Sequence, residues 1–223
     1  RSYLRDKSGI DVNIAWICDK DLKTKRPVAV DKKLLTRSIG KVIYDPKVDI
    51  VVELVGGIEP AKSIVMEALK AGKSVVTANK ALLSDSGSEI FGLADGFGLS
   101  VGFEASVGGG IPIIRAMKEG FIANRFGLVY GIINGTSNFI LSKMAEEKVS
   151  FNEALGIAQN KGYAERNPYL DISGGDSAHK LSILASIGFG ITARGSGIFT
   201  EGIADIDRDD IEYALEMGYA IKP

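Results

Sequence analysis

The sequence predicts an α/β fold: a parallel sheet with helices on its faces, followed by a second half of α+β character. Two observations predict the sheet. Short β-branched apolar runs alternate with helical patterns through the first half of the chain, and each run closes on Gly or a polar residue, as buried strands do. A third observation is the 27 glycines among 223 residues, about 12% against a usual figure near 7%, which calls for many tight turns.

The apolar runs fall at 12–18, 48–55, 74–79 and 99–103. Between the second and third, Pro60 suits a first helical position, while Ala61, Ile64, Val65, Ala68 and Leu69 share one face and Gly72 supplies the stop. A helical segment over 82–96 separates the third and fourth runs. Strand–helix–strand–helix–strand implies right-handed crossovers and a parallel sheet. Ligands of such sheets bind at the carboxyl ends of strands, where Gly56, Gly57, Lys80 and Glu104 stand. Beyond a soft boundary near Gly110 the pattern changes, dividing the chain into 1–110 and 111–223. A short helix opens at Pro112, and Phe126–Ile133 reads as a strand leading through Asn134-Gly135-Thr136 into a helix over 137–146. Ser150 and Glu153 form a capping-box pattern before a helix stopped by Gly162. Asp176 begins an apolar helix, and Asp207 caps a last one ending near Gly218.

Composition narrows the chemistry. Lys plus Arg (27) nearly balance Asp plus Glu (28), so charge gives no reason to expect nucleic acid or an anionic membrane as partner. No apolar run reaches the roughly 18–20 residues that span a bilayer. A single Cys and a single His exclude zinc sites built from several such ligands and paired-cysteine redox motifs. One cysteine favours a reducing compartment, hence the cytoplasm. Acid–base work falls to Lys, Asp or Glu. Cys18, within a run, reads as core, and His179 as a surface or packing residue of its helix.

The densest polar constellation runs from Gly162 to Lys180 and holds Glu165, Asp171, Asp176 and Lys180 around a Pro- and Gly-rich loop entering a helix. Asp176 and Lys180 are four apart and share a helix face. One reading is a capping Asp with an ordinary i,i+4 ion pair, worth about 0.3–0.5 kcal/mol. The other is a functional cluster, since a loop crowded with acids is a costly way to cap one helix.

The stretch from Ala158 to Lys180 carries Asn167-Pro168 and then Asp171-Ile172-Ser173-Gly174-Gly175-Asp176, with Lys180 four residues on. It resembles the signature of homoserine dehydrogenases. Upstream, Val52-Glu53-Leu54-Val55-Gly56-Gly57, Thr77-Ala78-Asn79-Lys80, Glu104 to Pro112 and Asn134-Gly135-Thr136-Ser137-Asn138 are similar to that family's other motifs in the same order. The resemblance runs over nearly the whole chain. It implies a Rossmann-like NAD(P)-binding domain and a catalytic domain that interconvert L-homoserine and L-aspartate 4-semialdehyde by hydride transfer, in the biosynthesis of threonine, methionine and isoleucine.

By this resemblance Lys180 and Lys80 handle the proton at the substrate oxygen, Glu165 binds the substrate ammonium, and Asp171 and Asp176 hold the ammonium or orient Lys180. A lysine is ordinarily protonated at neutral pH, so it donates during aldehyde reduction and must first lose its proton for the reverse oxidation. Gly135 and Thr136, at a strand-to-helix turn, offer groups to the substrate carboxylate, or Thr136 is a plain N-cap. Lys80 directly follows a strand, where nicotinamide or substrate lies in this sheet type, or is a solvated surface lysine. Gly56 and Gly57 let a cofactor approach the backbone, or simply end a strand. Asp19 suits the adenosine ribose, while Lys20, Lys23, Lys25 and Arg26 suit a 2′-phosphate, so NAD and NADP both remain open. The resemblance further implies a sodium ion on the main-chain carbonyls of Glu104, Val107, Gly109 and Ile111, where the alternative is a glycine turn into the helix at Pro112. It implies a homodimer for the full-length protein.

Two features stand apart. The chain shows neither an opening strand nor a G-x-G-x-x-G turn, begins without Met and stops at Pro223. It is therefore expected to be a fragment lacking material at both ends. Aspartate semialdehyde dehydrogenase chemistry needs a nucleophilic Cys near a His, which the strand position of Cys18 disfavours. A non-catalytic binding or regulatory module that keeps the fold is the alternative from another class, against which the presence of both lysines and all three acids counts.

Overall fold

The computed structural model describes residues 2–223. The chain forms two compact units, one running through Thr77 and adding Glu89–Gly102, the other made of Ala78–Ser88 and Phe103–Pro223. The division is not a single cut in sequence, because residues 78–88 cluster with the later part of the chain.

In the first unit, helix α1 (Ser2–Ser8) precedes β1 (Ile17–Cys18), which pairs in parallel with β2 (Leu35–Thr36). Helix α2 (Ile39–Ile43) follows, its first turn capped by Ser38, whose hydroxyl accepts from the Lys41 N–H. Then come β3 (Ile50–Glu53), α3 (Ala61–Lys70), β4 (Ser74–Thr77), the long helix α4 (Lys80–Gly96) and β5 (Val101–Gly102). Strands β3, β4 and β5 make a parallel sheet in that order. The register sets Val51 beside Val75 and Glu53 beside Thr77. All four are buried on one face, and α3 packs there with Ile64, Val65, Ala68 and Leu69. Ile50 and Val52 point the other way and are exposed.

Two expectations here need correction. The strand anticipated over 12–18 forms only at Ile17–Cys18, with Val12 and Ile14 exposed. A strand needs a ladder partner, and β2 offers only two residues. Cys18 is likewise not core: it is a free, exposed thiol at the end of that short pairing.

The second unit is helical. Helix α5 (Ile113–Arg115) runs on into one wide turn over Ala116–Gly120, closed by the Phe121 N–H donating to the Ala116 carbonyl at 2.9 Å. Helix α6 (Gly135–Glu147) is capped by Asn134, and α7 (Phe151–Asn160) by the Ser150–Glu153 capping box. Short α8 (Tyr169–Ile172) leads into α9 (Gly175–Phe189), and α10 (Arg208–Glu216) carries a second capping box from Asp207 and Asp210. The core lies where Ile140, Leu141 and Met144 of α6 meet Ala154 and Ala158 of α7 and Ile211 of α10. The alanines let α6 and α7 approach closely, and burying side chains such as Ile140 and Leu141 stabilises by about 1.5–3 kcal/mol each. The strand expected at Phe126–Ile133 does not form. Leu128, Tyr130 and Ile132 alternate outward and are exposed, and no described residues ladder with them. Period-2 alternation marks an extended chain, and only a partner makes it a strand.

Candidate active site

Asp176 stands in the first turn of α9 but does not cap it, because the N-cap is Gly174. Its carboxylate is spent elsewhere. Lys180, one turn on, reaches Oδ2 at 2.5 Å, and Lys80, the first residue of α4, reaches Oδ1 at 2.9 Å. The Asn134 amide donates to Oδ2 at 3.0 Å. Burial pushes the Asp176 carboxyl up, yet the ammonium groups of Lys180 and Lys80 outweigh it and hold the group below its usual value of 3.8. The side chain is only 7% exposed, against 16% for Lys180 and 37% for Lys80. Lys180 also donates to the Ile133 carbonyl at 2.7 Å. Two of its three protons are therefore fixed by the fold.

Asn134 links the acids. Its amide donates to Asp171 Oδ1 at 2.8 Å as well as to Asp176, while its Oδ1 accepts the Ser137 N–H and so caps α6. With both amide protons and the acceptor used, the side chain has one orientation open to it. Asp171 is further located by its carbonyl, which accepts from Ser137 Oγ at 2.9 Å. Sequence reasoning assigned Asn134 no role. Its signal was an Asn at an N-cap position beside Gly135.

Lys80, Asp171, Asp176 and Lys180 line one open cavity of about 820 Å³ with Gly135, Thr136, Phe139 and Tyr163. Gly135 is the first residue of α6, so main chain borders the cavity there. Thr136 is not the N-cap. Its hydroxyl donates to the Tyr163 carbonyl at 2.8 Å and ties α6 to the loop after α7. Glu165 is exposed and is not among the lining residues. The structure thus brings together both lysines, both aspartates, Gly135 and Thr136, and leaves Glu165 outside. His179 is half-buried behind the cluster, its Nδ1 without a partner. Burial lowers its pKa from 6.5, with Lys80 adding to the effect and Asp176 opposing it.

In the first unit another carboxylate, assigned no role by the sequence, organises a strand end. Glu53 is 2% exposed. Its Oε1 accepts the N–H groups of Val55 and Gly56 at 2.6 and 3.1 Å, and Oε2 accepts the Thr77 hydroxyl at 2.6 Å. Gly56 is held at φ 78° with nothing within 4 Å of where a Cβ would stand. The backbone at the end of β3 is therefore open to a flat ligand, which fits a nucleotide cofactor. Asp19 is paired with Arg26 at 2.7 Å and accepts the Asp21 N–H at 2.9 Å. Hydrogen bonding from the Asp21 N–H and from Arg26 lowers its pKa.

The loop from Glu104 to Ile111 begins as a 3₁₀ turn, and the Glu104 carboxylate receives the N–H groups of Ile114 and Arg115 at 2.9 and 3.0 Å. That side chain caps α5, so only its main-chain carbonyl is open to the expected cation role. The Ile111 carbonyl accepts the Ile113 N–H at 2.8 Å. Among the described residues no group of three His, Cys, Asp or Glu side chains is placed to hold a metal ion. No helix among them is long and apolar enough to cross a membrane.

A parallel sheet with an open glycine at a strand end, and a helical unit with two lysines on one buried aspartate, define a class: α/β proteins of the nucleotide-binding type with a separate helical unit. Comparison with known proteins narrows it. The family described as "Homoserine dehydrogenase, NAD binding domain" matches residues 2–104, and "Homoserine dehydrogenase" matches residues 112–223. The homoserine dehydrogenase of Bacillus subtilis is 42% identical over 219 residues, 98% of this chain and 51% of the relative. That of Pseudomonas aeruginosa is 50% identical over 188 residues, 84% of this chain and 43% of the relative. A crystal structure of a homoserine dehydrogenase from Thiobacillus denitrificans superposes with a TM-score of 0.82 at 53% identity, covering 84% of this chain and 44% of that one. The chain belongs to the homoserine dehydrogenase family and spans about half the length of the curated relatives it matches.

Proposed function

We propose that this protein interconverts L-homoserine and L-aspartate 4-semialdehyde with NAD or NADP, serving the biosynthesis of threonine, methionine and isoleucine in the cytoplasm. The observation that carries this reading is the pair of lysines held on Asp176 at the wall of one cavity. A nicotinamide, when bound, supplies or takes up the hydride. The residues of the chain do the rest. Lys180 and Lys80 exchange the proton at the substrate oxygen, and Asp176 keeps both ammonium groups in place against their mutual repulsion. Asp171 and Glu165 take the substrate ammonium, Glu165 by movement of the exposed loop that follows Tyr163. Gly135 and Thr136 take the substrate carboxylate through main-chain groups, since the Thr136 hydroxyl already serves Tyr163.

Residues 1–110 form the cofactor domain and 111–223 the substrate domain in this reading, with Lys80 serving both. Gly56 and Gly57 border the cofactor. Asp19 reads the adenosine ribose, while Arg26, at 2.7 Å from it, is placed to turn to a 2′-phosphate. The carbonyls of Glu104, Val107, Gly109 and Ile111 hold a sodium ion, and the full-length protein is a homodimer with no nucleic-acid or membrane partner. The test is homoserine-dependent reduction of NAD and of NADP, measured separately on the full-length protein. Turnover supports the reading, and the preferred nucleotide decides between the Asp19 and Arg26 roles. A folded protein without turnover on either nucleotide favours the non-catalytic module.

A further inference from the structure

Lys180 needs no outside help to reach Asp176, because both lie on α9 one turn apart. Lys80 does. It comes from α4, and a lysine has a long side chain with much rotamer freedom to lose, so a 2.9 Å contact with Asp176 requires the start of α4 to be fixed against α9. One turn beyond Lys80, on the same helix face, stands Ser84, 4% exposed. Its Oγ lies 2.8 Å from the Oγ of Ser182 on α9, which is 0% exposed. Ser84 also accepts the Gly195 N–H at 2.9 Å, and Ser182 lies 2.8 Å from the His179 carbonyl.

The proton count gives this chain a direction. Ser182 has one hydroxyl proton and cannot give it to both Ser84 and His179. All three contacts are satisfied when Gly195 N–H donates to Ser84, Ser84 donates to Ser182, and Ser182 donates to the His179 carbonyl. Gly195 is needed for closure, since a Cβ there would stand 2.8 Å from both His179 Cδ2 and Ser84 Oγ. None of these four residues lines the cavity.

We infer that Ser84, Ser182 and Gly195 form a buried clasp that positions Lys80 on Asp176, making Ser84 and Ser182 positioning residues for the reaction proposed above. The inference rests on that reading for its catalytic meaning, but the placement of Lys80 is measurable without turnover. The experiment is competitive amine acylation of the folded chain, with modification at Lys80 and Lys180 quantified by mass spectrometry, in the unmodified protein and in Ser84→Ala, Gly195→Ala and Ser86→Ala. Ser86 is a control on the same helix: buried, with its hydroxyl bonded to its neighbour Asp85 at 2.6 Å.

Ser84→Ala and Gly195→Ala are expected to raise acylation at Lys80 several-fold while Lys180 changes little. Ser86→Ala is expected to leave both at the original level, whatever it does to the melting temperature. In Ser84→Ala and Gly195→Ala kcat for homoserine oxidation falls by about 10- to 100-fold with a small change in KM, as for a misplaced catalytic group. Equal Lys80 acylation in Ser84→Ala and the unmodified protein overturns the inference. So does a rise in Ser86→Ala as large as in Ser84→Ala. Should Gly195→Ala not fold, Ser84→Ala and Ser182→Ala, which add no atoms, carry the test alone. If acylation shifts as expected and the full-length protein does not turn over homoserine, the clasp stands and the proposed function fails.

Discussion

Each unit of this chain buries a carboxylate, and the two are satisfied in opposite ways. Glu53 faces neutral donors, namely two main-chain N–H groups and a threonine hydroxyl. Asp176 faces two ammonium groups and one amide. Neutral, rigid donors fix a loop and ask nothing of a ligand, so Glu53 acts as a staple between the ends of β3 and β4. Two cations on one anion leave lysine protons to spare at a cavity wall for something that enters. A buried acid is thus read by the charge of its donors, not by its burial.

The sharpest break of that comparison is at Lys180. Lys180→Met keeps the length of the side chain and removes its charge, and kcat for homoserine oxidation is expected to fall by about 1,000-fold, within the range of lost acid–base catalysis. Circular dichroism should stay unchanged, because α9 keeps its C-cap at Gly190 and its buried Ile183 and Leu184. The counterpart at Glu53 acts on stability. Glu53→Ala removes the carboxylate that accepts from the Thr77 hydroxyl and from two N–H groups in a buried place, and is expected to cost about 2–4 kcal/mol in chemical denaturation. A Glu53 variant of unchanged stability would show that water replaces the carboxylate and that the staple is no staple.

What the sequence made legible follows the same line between local and tertiary chemistry. The box at Ser150 and the cap at Asp207 were readable because the groups each one serves lie within one turn. The Asp176–Lys180 pair was readable because helix spacing alone puts the two side chains together. The role of Glu53 was not: inside an apolar run it looked like one polar residue of a strand, and only the β3–β4 register sets Thr77 beside it. Asn134 was read only as leading into a helix, with the cap offered to Thr136, and its link to Asp171 and Asp176 was invisible because they lie 37 and 42 residues away. The absent strand at Phe126–Ile133 and the exposed Cys18 are failures of one kind. Alternation and β-branching describe what a segment can pair with, and neither supplies the partner.

A third carboxylate sharpens the contrast. Glu165 has neither kind of partner set and stands exposed in the loop after Tyr163. An exposed acid costs the fold nothing to lose, so Glu165→Gln should move the unfolding free energy by no more than about 0.5 kcal/mol. If it meets the substrate ammonium by loop movement, KM for homoserine rises by about 10-fold, the worth of one charge-assisted hydrogen bond. Unchanged KM would remove Glu165 from the site and leave Asp171 as the ammonium ligand.

The smallest expected effect lies behind the Asp176 cluster, at His179. Burial lowers its pKa from 6.5 in the folded chain, so the unfolded chain takes up a proton there that the folded chain refuses. The sign follows by linkage: stability is full above about pH 6.5 and declines as pH falls through that value. Asp176 acts in a separate, more acidic window. Its folded pKa is depressed below 3.8, so its contribution is present above that value and is lost as pH falls through the lower folded one. Melting temperatures between pH 7.5 and 5.5 should therefore slope downward in the unmodified protein and be flatter in His179→Gln, with the acid limb near and below pH 4 the same in both. An equal slope in the two proteins would mean that His179 takes up its proton without penalty, most simply by turning its unpartnered Nδ1 toward the Asp176 carboxylate. In that case the carboxylate would answer to three cations rather than two.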